Sequence, residues 1–342
     1  MCTTRLFTCR SGASCKLATM RKVGILGAGG MGKVHARHYK NIGAIELLAY
    51  DVDEERLNAF CSETGASPTA SSDDLMERAD IVDICLPTHL HADLAVKALE
   101  MGKHTLCEKP MARTVADCAR IAEAAAKCGQ CFMPAQVVRW FPEFRRAHEM
   151  VQNGAVGDPA AIRTRRCGRH PQGAGGWFAN YELSGGVLMD LAVHDFDWIR
   201  WTFGEVDRVY ANGVDHRWPE GLDYALVTMT LESGALAHTE ASWADPGGFR
   251  AAFEVAGSGG FFEYDNRWTP PLRTINDKGT FNESPMASAD DPYFRQLSAF
   301  IHSVETGTEP PVTAIDGLRA VAIAEAAIES AKTGKPVKPA RG

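Results

Sequence analysis

The sequence predicts an α/β protein: a doubly wound parallel sheet in residues 20–140, followed over 141–342 by an α+β domain with a large, mostly antiparallel open sheet. Three observations carry this. A glycine-rich turn sits between a short apolar strand and a helix; strands alternate with helices at a steady pace up to about residue 140; beyond that the chain changes to β-rich segments. With 342 residues, it exceeds the size at which one hydrophobic core keeps growing, so two domains are expected.

The bulk numbers narrow the function class. Lys and Arg total 36 against 43 Asp and Glu, a formal net charge of -7, and no run of basic residues offsets it. Nucleic acid is therefore not the expected partner; a small molecule or a second copy of the chain is. No apolar run approaches the roughly 20 residues that cross a bilayer, so a membrane partner is not expected either. The ten cysteines are scattered through apolar segments, as buried thiols are in a reducing compartment, and a cytoplasmic location is expected. Residues 1–19 are basic, rich in Ser and Thr and free of acids. They read either as a transit peptide or as sequence upstream of a true start at Met20, and the strand pattern beginning at once favours the second.

Taken in order, "KVGIL" gives a buried strand over Val23 to Leu26, and a helix follows from about Met31. Between them lie Gly27, Ala28, Gly29, Gly30, Met31 and Gly32, a G-x-G-x-x-G pattern in the strand-to-helix context that gives it meaning. Gly27 permits the tight turn, Gly29 lets backbone approach a pyrophosphate, Gly32 lets helix pack on strand, and the helix N-terminus faces the phosphates. "IELLAY" is the next strand and ends at Asp51, 24 residues after Gly27. An acid at that distance receives the adenosine ribose hydroxyls and repels a 2′-phosphate, favouring NAD with NADP possible. Asp53 reads as the cap of the helix that follows.

"ADIVDICLP" is a third strand, "HADLAVKALEMG" a helix closed by Gly102, "HTLC" a strand, "TVADCARIAEAAAKCG" a helix opened by Thr114 and Asp117, and "CFMPAQ" a strand. In such sheets ligands bind at the carboxyl ends of the strands. Pro87 and Thr88 of "CLPT" and Glu108 and Lys109 of "CEKP" lie at those ends, on the rim of the glycine turn, which aims Lys109 at the cofactor cleft.

After residue 140, "AIRTRRC", "VDRVYANG", "DYALVTMTL", "ALAHTEASW" and "FRAAFEVAGSGGFFEY" read as strands, with "ESG" as a hairpin turn. The sheet's outer face is expected to pair with another subunit, giving a homodimer or homotetramer. "AIDGLRAVAIAEAAIESAKTG" is a helix closed by Gly334. In "SGGVLMDLAVHDFDWIRWTFG", residues 184–204, apolar residues recur at helical spacing, so one largely buried helix is expected, with Asp190 and His194 a turn apart on a shared face. A carboxylate and an imidazole there are costly unless paired or used. Asp195 and Asp197 are less informative, one as a capping contact and one as a solvated charge. Cys128 and Cys131 of "KCGQC" and the "HLH" at 89–91 have ligand-like spacing but lack a second pair, and no metal is expected.

The segments "GILGAGGMG", "CLPTHLHADLAVKALEMGKHTLCEKPMA", "SGGVLMDLAVHDFDW" and "GLRAVAIAEAAIESAKTGKPV" together resemble the glucose-fructose oxidoreductase, inositol dehydrogenase and rhizopine-catabolism (Gfo/Idh/MocA) family, in the family's order from Met20 onward. The E-K-P segment combined with D-x-x-x-H is the specific part. The resemblance implies a Rossmann domain, an open-sheet domain and a substrate held between them. It also implies roles: Lys109 contacts cofactor and substrate hydroxyl, His194 is the acid/base, and Asp190 holds and orients substrate. The expected activity is NAD(P)-dependent oxidation of a secondary hydroxyl of a cyclic polyol or sugar. Trp177 and Tyr181 are candidates for lining the sugar site, and Arg139, at the domain junction, is a further candidate for contacting substrate. Family members also act on nucleotide sugars, retain their cofactor through a redox cycle, or bind the dinucleotide as regulators without turnover; the presence of both Lys109 and His194 weighs against the last.

Overall fold

The computed structural model describes residues 21–43, 45–214, 223–284 and 291–341; the stretch over 1–19 lies outside them. Its first sheet is built from β1 (Arg21–Leu26), α1 (Gly30–Ile42), β2 (Ile45–Tyr50), α2 (Glu54–Thr64), β3 (Ser67–Pro68), α3 (Ser72–Arg78), β4 (Ile81–Ile84), α4 (His91–Glu100), β5 (His104–Glu108), α5 (Val115–Cys128) and β6 (Phe132–Ala135). The six strands are parallel in the order β3-β2-β1-β4-β5-β6. The chain reverses direction across the sheet between β1 and β4, where such sheets bind ligands. Every residue of β4 is buried, as a central parallel strand covered on both faces requires. The caps follow the sequence reading. Asp53 accepts from Arg56 N at the start of α2, and Thr114 accepts from Asp117 N at the start of α5.

The remaining chain forms α6 (Pro142–Gln152), β7 (Pro159–Cys167), α7 (Tyr181–Ser184), α8 (Gly186–Asp190), α9 (Val193–Phe203), β8 (Val206–Val214), β9 (Tyr224–Leu231), β10 (Leu236–Ser242), β11 (Arg250–Gly257), β12 (Gly260–Asp265), β13 (Leu272–Asn276), β14 (Gly279–Glu283), α10 (Pro292–Thr306) and α11 (Ala314–Thr333). Its eight strands run β14-β13-β12-β11-β7-β10-β9-β8. Only β7 and β10 pair in parallel; the other pairs are antiparallel. Glu232 to Gly234 form the expected hairpin turn, closed by the Leu231 N to Ala235 O hydrogen bond.

One face of this sheet is covered by helices. Phe144 of α6, Trp198 of α9 and Phe253 of β11 meet at ring-centroid distances of 5.0–5.2 Å, and the Trp198 indole donates to the Phe144 carbonyl at 3.0 Å. The other face leaves Tyr210, Leu226 and Leu236 exposed. It is the face on which the sequence predicts subunit pairing. The last helix, α11, packs on β8, α5 and α9 and so ties the second sheet to the first; its Glu325 accepts from Val115 N at 3.0 Å. No helix among the described residues is long and apolar enough to cross a membrane.

One expectation is corrected. The helix predicted over 184–204 is broken twice. Ser184 ends α7, and Gly185, at φ 74°, closes it; a side chain there would meet Met189 and Arg113 within 3 Å, so the first "SGG" glycine serves a left-handed turn that favours glycine. A second break falls at Leu191 and Ala192, where Ala192 N reaches back five residues to Val187 O at 2.9 Å. Such a widened turn changes which residues share a face.

Candidate active site

The site is best built from the glycine turn outward. Gly27 has φ 103°, and a Cβ on it would lie 2.4 Å from the Cys85 carbonyl oxygen. A Cβ on Gly32 would lie 2.1 Å from the Gly27 oxygen. These two positions are closed from inside the protein. Gly29 and Gly30 differ, since a Cβ on either meets nothing within 4 Å. Protein atoms therefore leave open the place where a phosphate must approach the backbone, and the turn fits a dinucleotide at the start of α1, next to Met31.

Asp51, 6 % exposed, closes the other end of the turn. One carboxylate oxygen accepts from Ala28 N at 2.9 Å and the other from Asp53 N at 3.0 Å. Arg56 reaches both oxygens, at 3.0 and 3.2 Å, and also pairs with Asp53. The sequence reading missed Arg56, although its place in the first turn of α2, five residues beyond the acid, was the available signal.

Lys109 projects from the turn after β5 and crosses to the second domain. Its Nζ donates to the Asp190 carbonyl at 2.8 Å and to Asp190 Oδ1 at 3.1 Å, with both side chains more than four-fifths buried. The broken helix makes this contact. It sets Asp190 at the end of α8, facing Lys109, and carries His194 into the first turn of α9. The expected Asp190–His194 pairing is accordingly replaced by an Asp190–Lys109 pairing. His194 Nδ1 is buried with no hydrogen-bond partner among the described residues. Burial, together with the positive charges of Lys109 and Arg166, holds the imidazole well below its ordinary value of 6.5 and so keeps it neutral.

Asp195 and Asp197 also depart from expectation, since neither is solvated. Asp195 pairs with Arg166 at 2.7 Å and Asp197 with Arg139 at 2.6 Å, all four side chains being at most 5 % exposed. Burial raises both carboxyl groups, opposed by their arginines. Arg139 also lies 3.4 Å from Asp316 of α11 and donates to the Pro311 carbonyl. Its guanidinium is therefore committed to acceptors of α9, α11 and the segment before α11, which leaves it a structural tie and speaks against the expected substrate contact.

The remaining candidates lie at or just after the ends of β4 and β5 and in the segment that leads into α8. Glu108 is buried, with one oxygen 3.3 Å from His35 Nε2 and the other accepting from Lys109 N at 3.0 Å; both oxygens are thus engaged by the protein. Thr88 is buried and follows Pro87 at the end of β4. Trp177 stacks on Phe178 at 3.9 Å and stands 6.4 Å from His89, beside that rim. Tyr181 lies between Arg113 and Lys332, whose charged groups stand 5.5 and 5.8 Å from its ring centre.

Comparison with known proteins agrees with this fold. Residues 21–136 match the model of an oxidoreductase family with an NAD-binding Rossmann fold, and residues 144–263 match the GFO/IDH/MocA C-terminal domain. The chain is 31 % identical to a myo-inositol 2-dehydrogenase of Thermotoga maritima, covering 93 % of this chain and 98 % of the relative. It is 30 % identical to a D-xylose 1-dehydrogenase (NADP(+)) of Haloferax volcanii, with 92 % and 98 % covered. A solved structure of a probable dehydrogenase from Thermotoga maritima superposes with a TM-score of 0.80 at 28 % identity, covering 93 % of this chain and 98 % of that one. The glycine cradle, the two-sheet fold and these matches together place the chain in the Gfo/Idh/MocA family of NAD-binding oxidoreductases.

Proposed function

We propose that the chain oxidises a secondary hydroxyl of a cyclic polyol or sugar with NAD, in the manner of an inositol 2-dehydrogenase. The observation that carries this reading is the contact across the cleft, in which Lys109 meets Asp190 while His194, a neutral imidazole whose buried Nδ1 has no hydrogen-bond partner among the described residues, opens α9 just beyond. The myo-inositol and D-xylose dehydrogenases among the relatives support the substrate class.

The dinucleotide, when bound, supplies the hydride-accepting carbon. His194 takes the proton of the substrate hydroxyl; its lowered basicity keeps the accepting form populated at neutrality. Lys109 presents a fixed positive charge to the oxygen as that proton leaves, where it stabilises developing negative charge. Asp190 holds the Lys109 ammonium through two acceptors, so the charge is in place before substrate arrives. Trp177, which stands near His89, and Tyr181 are the residues we assign to border the sugar.

The test is the rise in near-ultraviolet absorbance of reduced nicotinamide with purified protein, NAD or NADP, and myo-inositol, its stereoisomers, glucose, galactose and xylose. Reduction with at least one member is expected. Silence across the whole panel, with NAD binding intact, would refute the substrate class and favour a nucleotide-sugar enzyme, a retained-cofactor enzyme or a regulator.

A further inference from the structure

Two fully buried histidines outside the proposed reaction both reach the turn that carries Lys109. His35 of α1 places Nδ1 2.8 Å from Asp83 Oδ2, in the middle of β4, and Nε2 3.3 Å from Glu108 Oε1. The second Glu108 oxygen accepts from Lys109 N at 3.0 Å. A continuous line therefore runs Asp83–His35–Glu108–Lys109 through α1, β4 and β5. On the opposite side His91 of α4, 1 % exposed, has Nδ1 2.9 Å from the Pro110 carbonyl and Nε2 2.7 Å from the Leu86 carbonyl. The residues on either side of Lys109 are thus each contacted by an imidazole; burial lowers His91 from 6.5, and its single N–H then serves one of the two carbonyls it lies between.

The chemistry of the line is specific. Asp83 is fully buried and Glu108 is 6 % exposed, and the protonated imidazole serves both: Nδ1 donates to Asp83, while the ring's charge faces Glu108 at 3.3 Å in an ion-pair contact without hydrogen-bond geometry. Burial opposes this and the neighbouring Asp83 and Cys85 favour it, leaving His35 raised well above 6.5. Cys85 Sγ lies 3.4 Å from His35 Nδ1, so three ligand-type atoms meet here. The 2.8 Å separation of Nδ1 and Oδ2 nevertheless fits a shared proton, because two ligands on one tetrahedral zinc stand about 3.3 Å apart or more. Three ionisable groups so buried cost more than apolar packing of the same volume. A role in holding Glu108, and with it the backbone of Lys109, accounts for their presence.

We propose that His35 is a positioning residue for Lys109, acting through Glu108, while His91, lodged between the Leu86 and Pro110 carbonyls, backs the same turn from its other side. This rests on the reading of Lys109 as the group that meets substrate oxygen. The variants are His35→Gln, Glu108→Gln, their double, His91→Asn and Lys109→Ala. Four quantities are read: thermal midpoint, NADH affinity by fluorescence, kcat and KM with myo-inositol, and the acetylation rate of Lys109 relative to exposed lysines by competitive labelling and mass spectrometry.

His35→Gln and Glu108→Gln should each lower kcat about 10- to 100-fold, the cost of a roughly ångström-scale misplacement, with NADH affinity within about threefold. The double variant should be no worse than the poorer single one, because both cut the same line. Lys109 acetylation should accelerate in each, and in His91→Asn. Losses that multiply in the double, or Lys109 acetylation unchanged in folded Glu108→Gln, overturn the proposal. Glu108→Gln is nearly isosteric and keeps this test open if His35→Gln fails to fold. Full turnover in Lys109→Ala would instead refute the catalytic reading, and the labelling rates would then decide the positioning claim by themselves.

Discussion

Gly29→Ala separates the cofactor cradle from the fold. At φ -80° and ψ -165° the backbone of Gly29 suits alanine, and the added Cβ meets nothing within 4 Å. Folding stability should therefore change by no more than about 0.5 kcal/mol. The same methyl occupies the space that a pyrophosphate must enter. Losing one hydrogen bond to a charged oxygen costs about 1.5–3 kcal/mol, which weakens binding roughly 10- to 150-fold. Gly32→Ala behaves differently: its Cβ would lie 2.1 Å from a backbone oxygen, so helix and strand must separate and stability itself should fall by about 1–3 kcal/mol. The assay is thermal unfolding alongside NADH titration of intrinsic tryptophan fluorescence. If Gly29→Ala binds NADH like the unaltered protein, the turn does not hold the pyrophosphate and the cradle argument is wrong.

Three further outcomes are expected. Asp51→Ser removes the carboxylate and frees Arg56 from it, so the NADP to NAD ratio of kcat/KM should rise about tenfold or more, the equivalent of 1.4 kcal/mol; an unchanged ratio means Asp51 is not the ribose contact. Arg139→Met leaves Asp197 buried without its cation and should cost about 3–5 kcal/mol in denaturant unfolding, while Arg139→Met with Asp197→Leu should recover most of it; an equally unstable double variant would show that the ion pair is not the cause. For pH, the unprotonated form of His194 is the active one in oxidation and its pKa is lowered. The acid limb of kcat/KM should accordingly fall below 6.5, with activity lost as pH drops through it, and a limb centred above 6.5 would contradict the assignment.

Much of the first sheet is legible in the sequence because its signals are local. The glycine spacing, the alternation of apolar strands with capped helices, and Asp51 at a fixed distance beyond the turn each depend on a short window of residues. The place of Lys109 on the rim follows from the same alternation. What escapes is set by distant contacts. Apolar spacing continues through Leu191 and Ala192, so nothing in the periodicity marks the break that turns Asp190 to Lys109, 81 residues away, although the paired glycines of "SGG" signal the first break. Asp195 and Asp197 cannot be told from solvated charges until Arg166 and Arg139 arrive from other elements. Asp83 did carry a signal, as an acid inside the otherwise apolar "IVDI" of a central strand, where only a buried partner such as His35, 48 residues away, makes it tolerable.

The most direct measurement of the catalytic assignment is the turnover of His194→Ala and Lys109→Ala on whichever panel substrate proves active, taken with the NADH affinity of each variant. Both should lose at least about 100-fold in kcat, and His194→Ala should still bind NADH within about threefold of the unaltered protein, because His194 lies outside the cradle. Turnover near that of the unaltered protein in His194→Ala would contradict the assignment of the proton-accepting group, and with it the reading of this cleft as the place where the hydroxyl is oxidised.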